Sequence, residues 1–251
     1  MNNKRWKLLL LSLIMMLGLA GCSQGEKPSD EEAQKQFDEF IQGDFIDTME
    51  SDYLTMHIYL EHPENYNVNS SNMTVQIGDK FDENDLIEDQ TELKEIREAF
   101  DQFNRDQLSD EQKDTYDCYK FMLELAEKSS EDKFAYMGSA FNTMTGDHTQ
   151  IPTLLADLTL RNEQDVKDLI LLVQDVKPYL ESDLAYTKKQ VEEGTLMIGI
   201  DEVIERCKEI TSAGMEGSTL SSMKAHVDAL DMDDAAKAKY KKQLDEAYQT
   251  S

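Results

Sequence analysis

The side chains in this 251-residue sequence best suited to metal binding or nucleophilic attack are four imidazoles and three thiols. The imidazoles belong to His57, His62, His148 and His226. A helical zinc-hydrolase site needs two of them one turn apart on one face, with a Glu beside the first as base, the H-E-x-x-H pattern. None of the four is followed by Glu. The nearest approach is His57-Ile58-Tyr59-Leu60-Glu61-His62, where five steps of about 100° leave the rings about 140° apart. Pro63 then disfavours helix at His62. The run Asp79 to Asp85 has acids three apart and lacks the central Gly of a calcium loop. No nucleophile elbow, P-loop or dinucleotide fingerprint is present. With 52 Asp+Glu, carboxylate pairs are too numerous for spacing to single out an acid/base couple. The residues therefore assign no catalytic group, no metal ligand and no cofactor.

The thiols are more informative. Lys4, Arg5 and Lys7 precede Leu8–Leu19, apolar except for Ser12 and Gly18, and Leu19-Ala20-Gly21-Cys22 follows. A basic start, a short apolar run and a small-residue end make a secretory signal peptide over residues 1–21. Its last four residues resemble the lipobox of bacterial lipoproteins. That resemblance implies a diacylglycerol on the Cys22 thiol, cleavage before Cys22 and acylation, as by palmitate, of the new N terminus in many bacteria. It places the chain on the outer face of the cell membrane, held there by lipid on Cys22. A retained membrane span is the competing reading, but Leu8–Gly21 falls short of the roughly 20 residues a span needs. Two acyl chains, at about 0.8 kcal/mol per buried CH₂, anchor a protein without one. Cys118 and Cys207 each lie in an apolar stripe at helical spacing, which suits two buried free thiols. A disulfide between them is the alternative in an oxidising compartment.

Charge sets further limits. The sequence carries 25 Lys+Arg against 52 Asp+Glu, a net charge of −27. Removal of residues 1–21 takes away Lys4, Arg5 and Lys7 and no acid, so the mature chain reaches −30. Such a chain is a poor ligand for nucleic acid, whose phosphates are neutralised by Lys and Arg. It is also repelled by an anionic lipid surface, so residues 22–29, with Gly25 and Pro28, read as a flexible tether.

Four Pro and 11 Gly are few, which favours helices over a turn-rich β-sandwich. Ser29-Asp30-Glu31-Glu32 is a capping box and opens a helix carrying Phe37, Phe40, Ile41 and Met49, with Gly43 as a point of weakness. A second piece spans Tyr53 to Leu60. Residues 62–80 are irregular, with room for one short strand at 73–77. Helices follow over 83–103 and from the Ser109 capping box to about Lys128, and a loop-like stretch covers 129–150. Ile151–Leu160 makes a short helix. Asn162 caps a long one, Glu163–Glu193, that Gly194 ends and Pro178 should kink or divide. Asp201 starts another, and 219–229 with 233–248 form a last pair divided at Asp231, which can act as N-cap. The expected fold is an all-α, irregular multi-helix bundle over residues 30–251.

The segment Gln150–Ile170, QIPTLLADLTLRNEQDVKDLI, carries a further resemblance. With Val176-Lys177-Pro178-Tyr179, Glu193–Met197, Asp52–His57, Pro63–Tyr66, Thr145-Gly146 and Val203-Ile204-Glu205 with Cys207, it is similar to the N-terminal half of the domain of unknown function 885 family. The resemblance covers roughly residues 35–250. It implies a helical fold and kinship with zinc metallopeptidases that are often lipoproteins. Their zinc motif lies in a C-terminal half that is expected to begin beyond Ser251, so zinc is expected only there. The chain then reads as a truncated N-terminal part without catalytic residues of its own, whose partner is that catalytic half. The alternative is a free-standing surface lipoprotein that binds a peptide or a protein.

Overall fold

A computed structural model describes residues 28–251; the leader, Cys22 and the tether up to residue 27 lie outside the described residues. Among the described residues the regular structure is nine α-helices and five 3₁₀ turns, with no strand. The all-α expectation holds. The chain forms two compact units, one made of Glu83–Asp132 with the helical residues up to Thr48, the other of Met49–Asp82 with Lys133–Ser251.

The first unit is built from α1 (Asp30–Ser51), α3 (Asp85–Phe100) and α4 (Asp110–Ser129). The Glu32 N–H donates to Ser29 Oγ at the start of α1, and Asp30, Glu31 and Glu32 complement its positive end. Gly43 does not break α1. A methyl group there would meet nothing within 4 Å, so the helix loses only propensity at that point. At α4 both halves of the Ser109–Gln112 capping box are made. Phe37, Phe40, Phe100, Leu108 and Leu123 are buried together, with Tyr116 and Tyr119 packed against them. The Phe100 ring stacks on Tyr116 at 4.5 Å, and Phe37 meets Phe103 edge-on at 5.3 Å.

The second unit holds α2 (Tyr53–Tyr59), α5 (Asp147–Asp157), α6 (Glu163–Glu193), α7 (Ile200–Ala213), α8 (Ser218–Ala229) and α9 (Asp234–Thr250). Its apolar centre joins Val166, Leu169, Leu172 and Val173 of α6 to Leu220, Met223 and Val227 of α8 and Leu244 of α9. Asn162 caps α6 by accepting from the Gln164 and Asp165 N–H groups, and Gly194 ends it at φ 72°. Pro178 divides nothing: α6 runs unbroken through it. Pro178 and Gln174 are both exposed, so water can take the carbonyl that the proline leaves unpaired.

Two further expectations fail for identifiable reasons. No strand forms at 73–77: the Met73 N–H turns back to the Ser70 carbonyl, and the Ile77 N–H is taken by a side chain of α6, as is that of Phe81 beyond it. The Ile77 N–H donates to Asp175 Oδ2 (2.9 Å), and the Phe81 N–H to Ser182 Oγ (2.6 Å). The N-cap of α9 is Asp233 and not Asp231, since Asp233 Oδ1 reaches the Ala236 N–H at 2.9 Å. No helix among the described residues is long and apolar enough to cross a membrane.

Candidate functional site

All seven buried polar or charged residues of the chain's described part lie in the second unit: His57, His148, Asp165, Asp168, Asp183, Thr187 and Gln190. They fall into two groups of different character.

The first is a closed clasp. The Tyr53 hydroxyl donates to Asp168 Oδ2 (2.9 Å) and Gln164 Nε2 donates to Asp168 Oδ1 (2.8 Å). His57 Nε2 lies 2.8 Å from the Thr159 carbonyl, an acceptor, so that nitrogen carries the proton and Nδ1 can accept from Arg161 (3.3 Å). Arg161 Nη2 donates to the His57 carbonyl and the Arg161 N–H to Asp165 Oδ2. Burial, followed by the bond to Asp168 and its charge, pushes the Tyr53 hydroxyl far above the ordinary phenol range. Each of these groups already has a partner, and the arrangement ties α2 to the segment leading into α6.

The second group is not closed. Asp147 is the first residue of α5, where a helix N terminus favours an acid. Gly146 before it must be glycine, because a Cβ would lie 2.5 Å from the Asn142 backbone nitrogen. Asp183, from the middle of α6, lies beside Asp147, whose carboxylate disfavours a second negative charge there. Burial, then the Asp147 charge and hydrogen bond, push Asp183 up to about 7. Burial also raises Asp147, against the bond from Asp183 and the His148 charge. His148 is buried beside them, and burial followed by the positive charge of Arg206 lowers it, against the charge of Asp147. Both His148 ring nitrogens and Asp183 Oδ2 lack a hydrogen-bond partner among the described residues. Tyr179, one turn before Asp183, is raised to about 12 by burial and by the charges of Asp147 and Asp183. Its ring edge would lie 3.1 Å from a Cβ at Gly78, so the 72–81 segment passes closely over it.

A carboxyl raised toward neutrality beside a second carboxyl is the composition general acid–base chemistry uses. Here Asp183 Oδ2 is buried, whereas Asp147 is only half-buried. On the outer side of α5 and α7 lies an open hollow of about 720 Å³. Asp201, Glu202, Glu205 and Glu209 of α7 line it, with Arg206 as their one cation. Such a rim attracts a cationic group.

Sequence reasoning singled out four histidines, and the structure separates their roles. His57 is in the clasp, His62 is exposed with Nδ1 3.2 Å from Glu64, His148 adjoins the carboxyl pair, and His226 Nδ1 lies 2.9 Å from the Leu158 carbonyl. Among the described residues no group of three or more His, Cys, Asp or Glu is placed to hold a metal ion. Cys118 and Cys207 are both free. Cys118 is exposed, against the expectation of burial, because α4 turns Tyr116, Tyr119 and Leu123 inward and leaves the neighbouring stripe outside. Cys207 is half-buried, and burial raises its thiol. Cys22 lies outside the described residues.

Asp183 itself escaped sequence reasoning, although a signal existed. The 3-4 stripe of α6 runs Val166, Leu169, Val173, Val176, Leu180 and then continues as Asp183, Thr187 and Gln190. Polar residues at core-facing positions mark a buried polar site.

A family model described as "Bacterial protein of unknown function (DUF885)" matches residues 72–251. The chain belongs to the DUF885 family. No curated protein and no solved structure matches it. The DUF885 match takes in Asp147, His148, Tyr179, Asp183 and the acidic hollow, and it begins after α1 and α2. The stretches Asp52–His57 and Pro63–Tyr66 thus lie before the matched residues.

Proposed function

We infer that this DUF885 protein is a lipoprotein of the outer face of the cell membrane, and that its helices form the non-catalytic, peptide-facing part of a zinc-peptidase-like assembly. The observation that carries the reading is Leu19-Ala20-Gly21-Cys22 at the end of a basic, then apolar leader. The family match supports the second half of it, through the resemblance to zinc metallopeptidases. In this reading Cys22 takes the lipid, the tether to residue 29 lets the acidic body stand away from anionic headgroups, and the metal ligands come from a further catalytic part. The acidic hollow on α7 favours a second reading, a free-standing surface lipoprotein that takes up a basic peptide segment.

Mass spectrometry of the N-terminal peptide from the membrane fraction tests the address. Cys22 as the first residue, bearing diacylglycerol, is the expected result. An uncleaved leader with a bare thiol overturns it. Zinc content and peptide hydrolysis of the full chain test the assignment of chemistry elsewhere. Stoichiometric zinc with unaided turnover overturns that part. Tight binding of a basic peptide with no need for a catalytic partner shifts the balance to the second reading.

A further inference from the structure

We propose that a second copy of this chain docks antiparallel on the outward face of α4, with Phe121 at the twofold axis. α4 has two apolar faces. Tyr116, Tyr119 and Leu123 point into the first unit's core. About 130° around the helix, at about 100° per residue, Cys118, Phe121, Met122 and Leu125 point outward. Phe121 is 63% exposed, Met122 56% and Leu125 48%. Thr115, Cys118, Met122, Leu125 and Ser129 recur at steps of three and four, the seam spacing of paired helices, with Phe121 flanking the seam. A helix that is apolar on both sides is built to be covered on both.

The charges around this seam say what covers it. Asp110 pairs with Lys113, Asp117 with Arg105, Lys120 with Glu124, and Glu127 with Arg97. Three charges of α4, Glu111, Asp114 and Lys128, form no ion pair among the described residues, and the last two lie seven residues to either side of Phe121. A twofold axis at Phe121 sets Asp114 of one copy against Lys128 of the other, twice, and brings Glu111 close to the same lysine. It runs the Thr115–Cys118–Met122–Leu125 stripes of the two copies alongside one another in opposite directions, and it opposes the two helix dipoles. This surface complements itself, as an isologous contact must. The −27 charge of each copy opposes association at long range, but a Debye length of about 8 Å at physiological salt confines that repulsion, while charges in contact keep their attraction.

The test uses the full chain, expressed with its leader and extracted in detergent, with light and heavy-nitrogen preparations mixed before treatment with a zero-length carbodiimide crosslinker. Peptide pairs joining Asp114 to Lys128 with one light and one heavy half are expected. Lys128→Glu should abolish them and raise the dimer Kd about tenfold, the equivalent of about 1.4 kcal/mol. Adding Asp114→Lys to that variant should restore the dimer, because each opposed pair then has its two charges exchanged and attracts again. Leu125→Glu should leave a monomer with the helical circular dichroism unchanged. A chain that stays monomeric at every concentration overturns the proposal. So do crosslinks confined within one chain, crosslinks from α4 to a different protein, or a charge reversal that fails to rescue.

Discussion

The two units solve the problem of a stable interior in opposite ways. Among its described residues the first buries only apolar side chains, and its centre is a cluster of aromatic rings around Phe100. The second, with a larger aliphatic centre, also encloses the Asp183 carboxyl beside half-buried Asp147, the His148 imidazole and a Tyr–Asp–His–Arg clasp. Aromatic burial stabilises through area and shape, is indifferent to pH, and is lost steeply when a ring is removed. Buried polar groups add little net stability when satisfied, but they leave large penalties when a partner is deleted, and they respond to protons. The first unit is therefore held chiefly by rings, with one acid, Asp44, raised by burial beside Tyr119, and it wears its spare apolar surface outside, on α4. The second holds all the fully buried polar groups of the described residues.

The largest expected effect tests the first half of this contrast. Phe100→Ala should destabilise the first unit by about 3–5 kcal/mol, read by urea unfolding through tyrosine fluorescence and by loss of amide protection in α3 and α4. A loss under about 1 kcal/mol would mean that the aromatic cluster does not hold the unit. Next comes the clasp. Tyr53→Phe removes one hydroxyl and strands Asp168 Oδ2 without that donor, for an expected loss of about 1–3 kcal/mol in the second unit's unfolding. An unchanged midpoint would show that water replaces the hydroxyl.

Asp183 tests the proton-sensitive half. Its native carboxyl holds its proton more tightly than an unfolded one, so between the ordinary Asp range and about 7 the native state binds more protons. Stability from this group is complete below pH 4 and is lost as pH rises toward about 7. Asp147, raised in the same direction, adds to that slope. His148, lowered by burial, contributes the opposite slope just below its ordinary value, where the unfolded state takes up the proton first. Asp183→Asn removes the carboxyl slope alone. It should raise the melting temperature at pH 8 by about 2–4 °C for about 1 kcal/mol and leave it nearly unchanged at pH 4. Equal shifts at both pH values would show that Asp183 titrates as an ordinary acid. The smallest effect belongs to Gly43→Ala, which meets no neighbour in α1 and should stabilise by about 0.5–1 kcal/mol. Destabilisation there would mean that α1 needs the flexibility of glycine.

Much of the fold was legible in advance, and particular residues show why. Ser109 with Gln112, Asn162 and Gly194 mark helix ends to the residue, since each acts on a backbone group within a few positions. Pro178 misled, whereas Pro63 did follow a helix end. The rule that Pro178 breaks a helix assumes an unsolvated carbonyl one turn back, and Gln174 is exposed to water. Likewise, 73–77 has strand-like residues, but its Ile77 N–H found Asp175 on α6, which no local pattern can reveal. The site was hardest of all. Asp147 and Asp183 are two among 52 acids, and only their meeting makes them unusual.

What the amino-acid order settled by itself is therefore whatever is decided over one or two turns: the helical stretches, their caps and the acidic composition. Tertiary structure alone chose which stripe of α4 would be buried, and brought Asp183 beside Asp147, where burial and the neighbouring charge raise it. The physical reason is range. Capping and periodicity act over a few ångströms along the chain, whereas burial and proton affinity are set by neighbours that sequence separation does not predict.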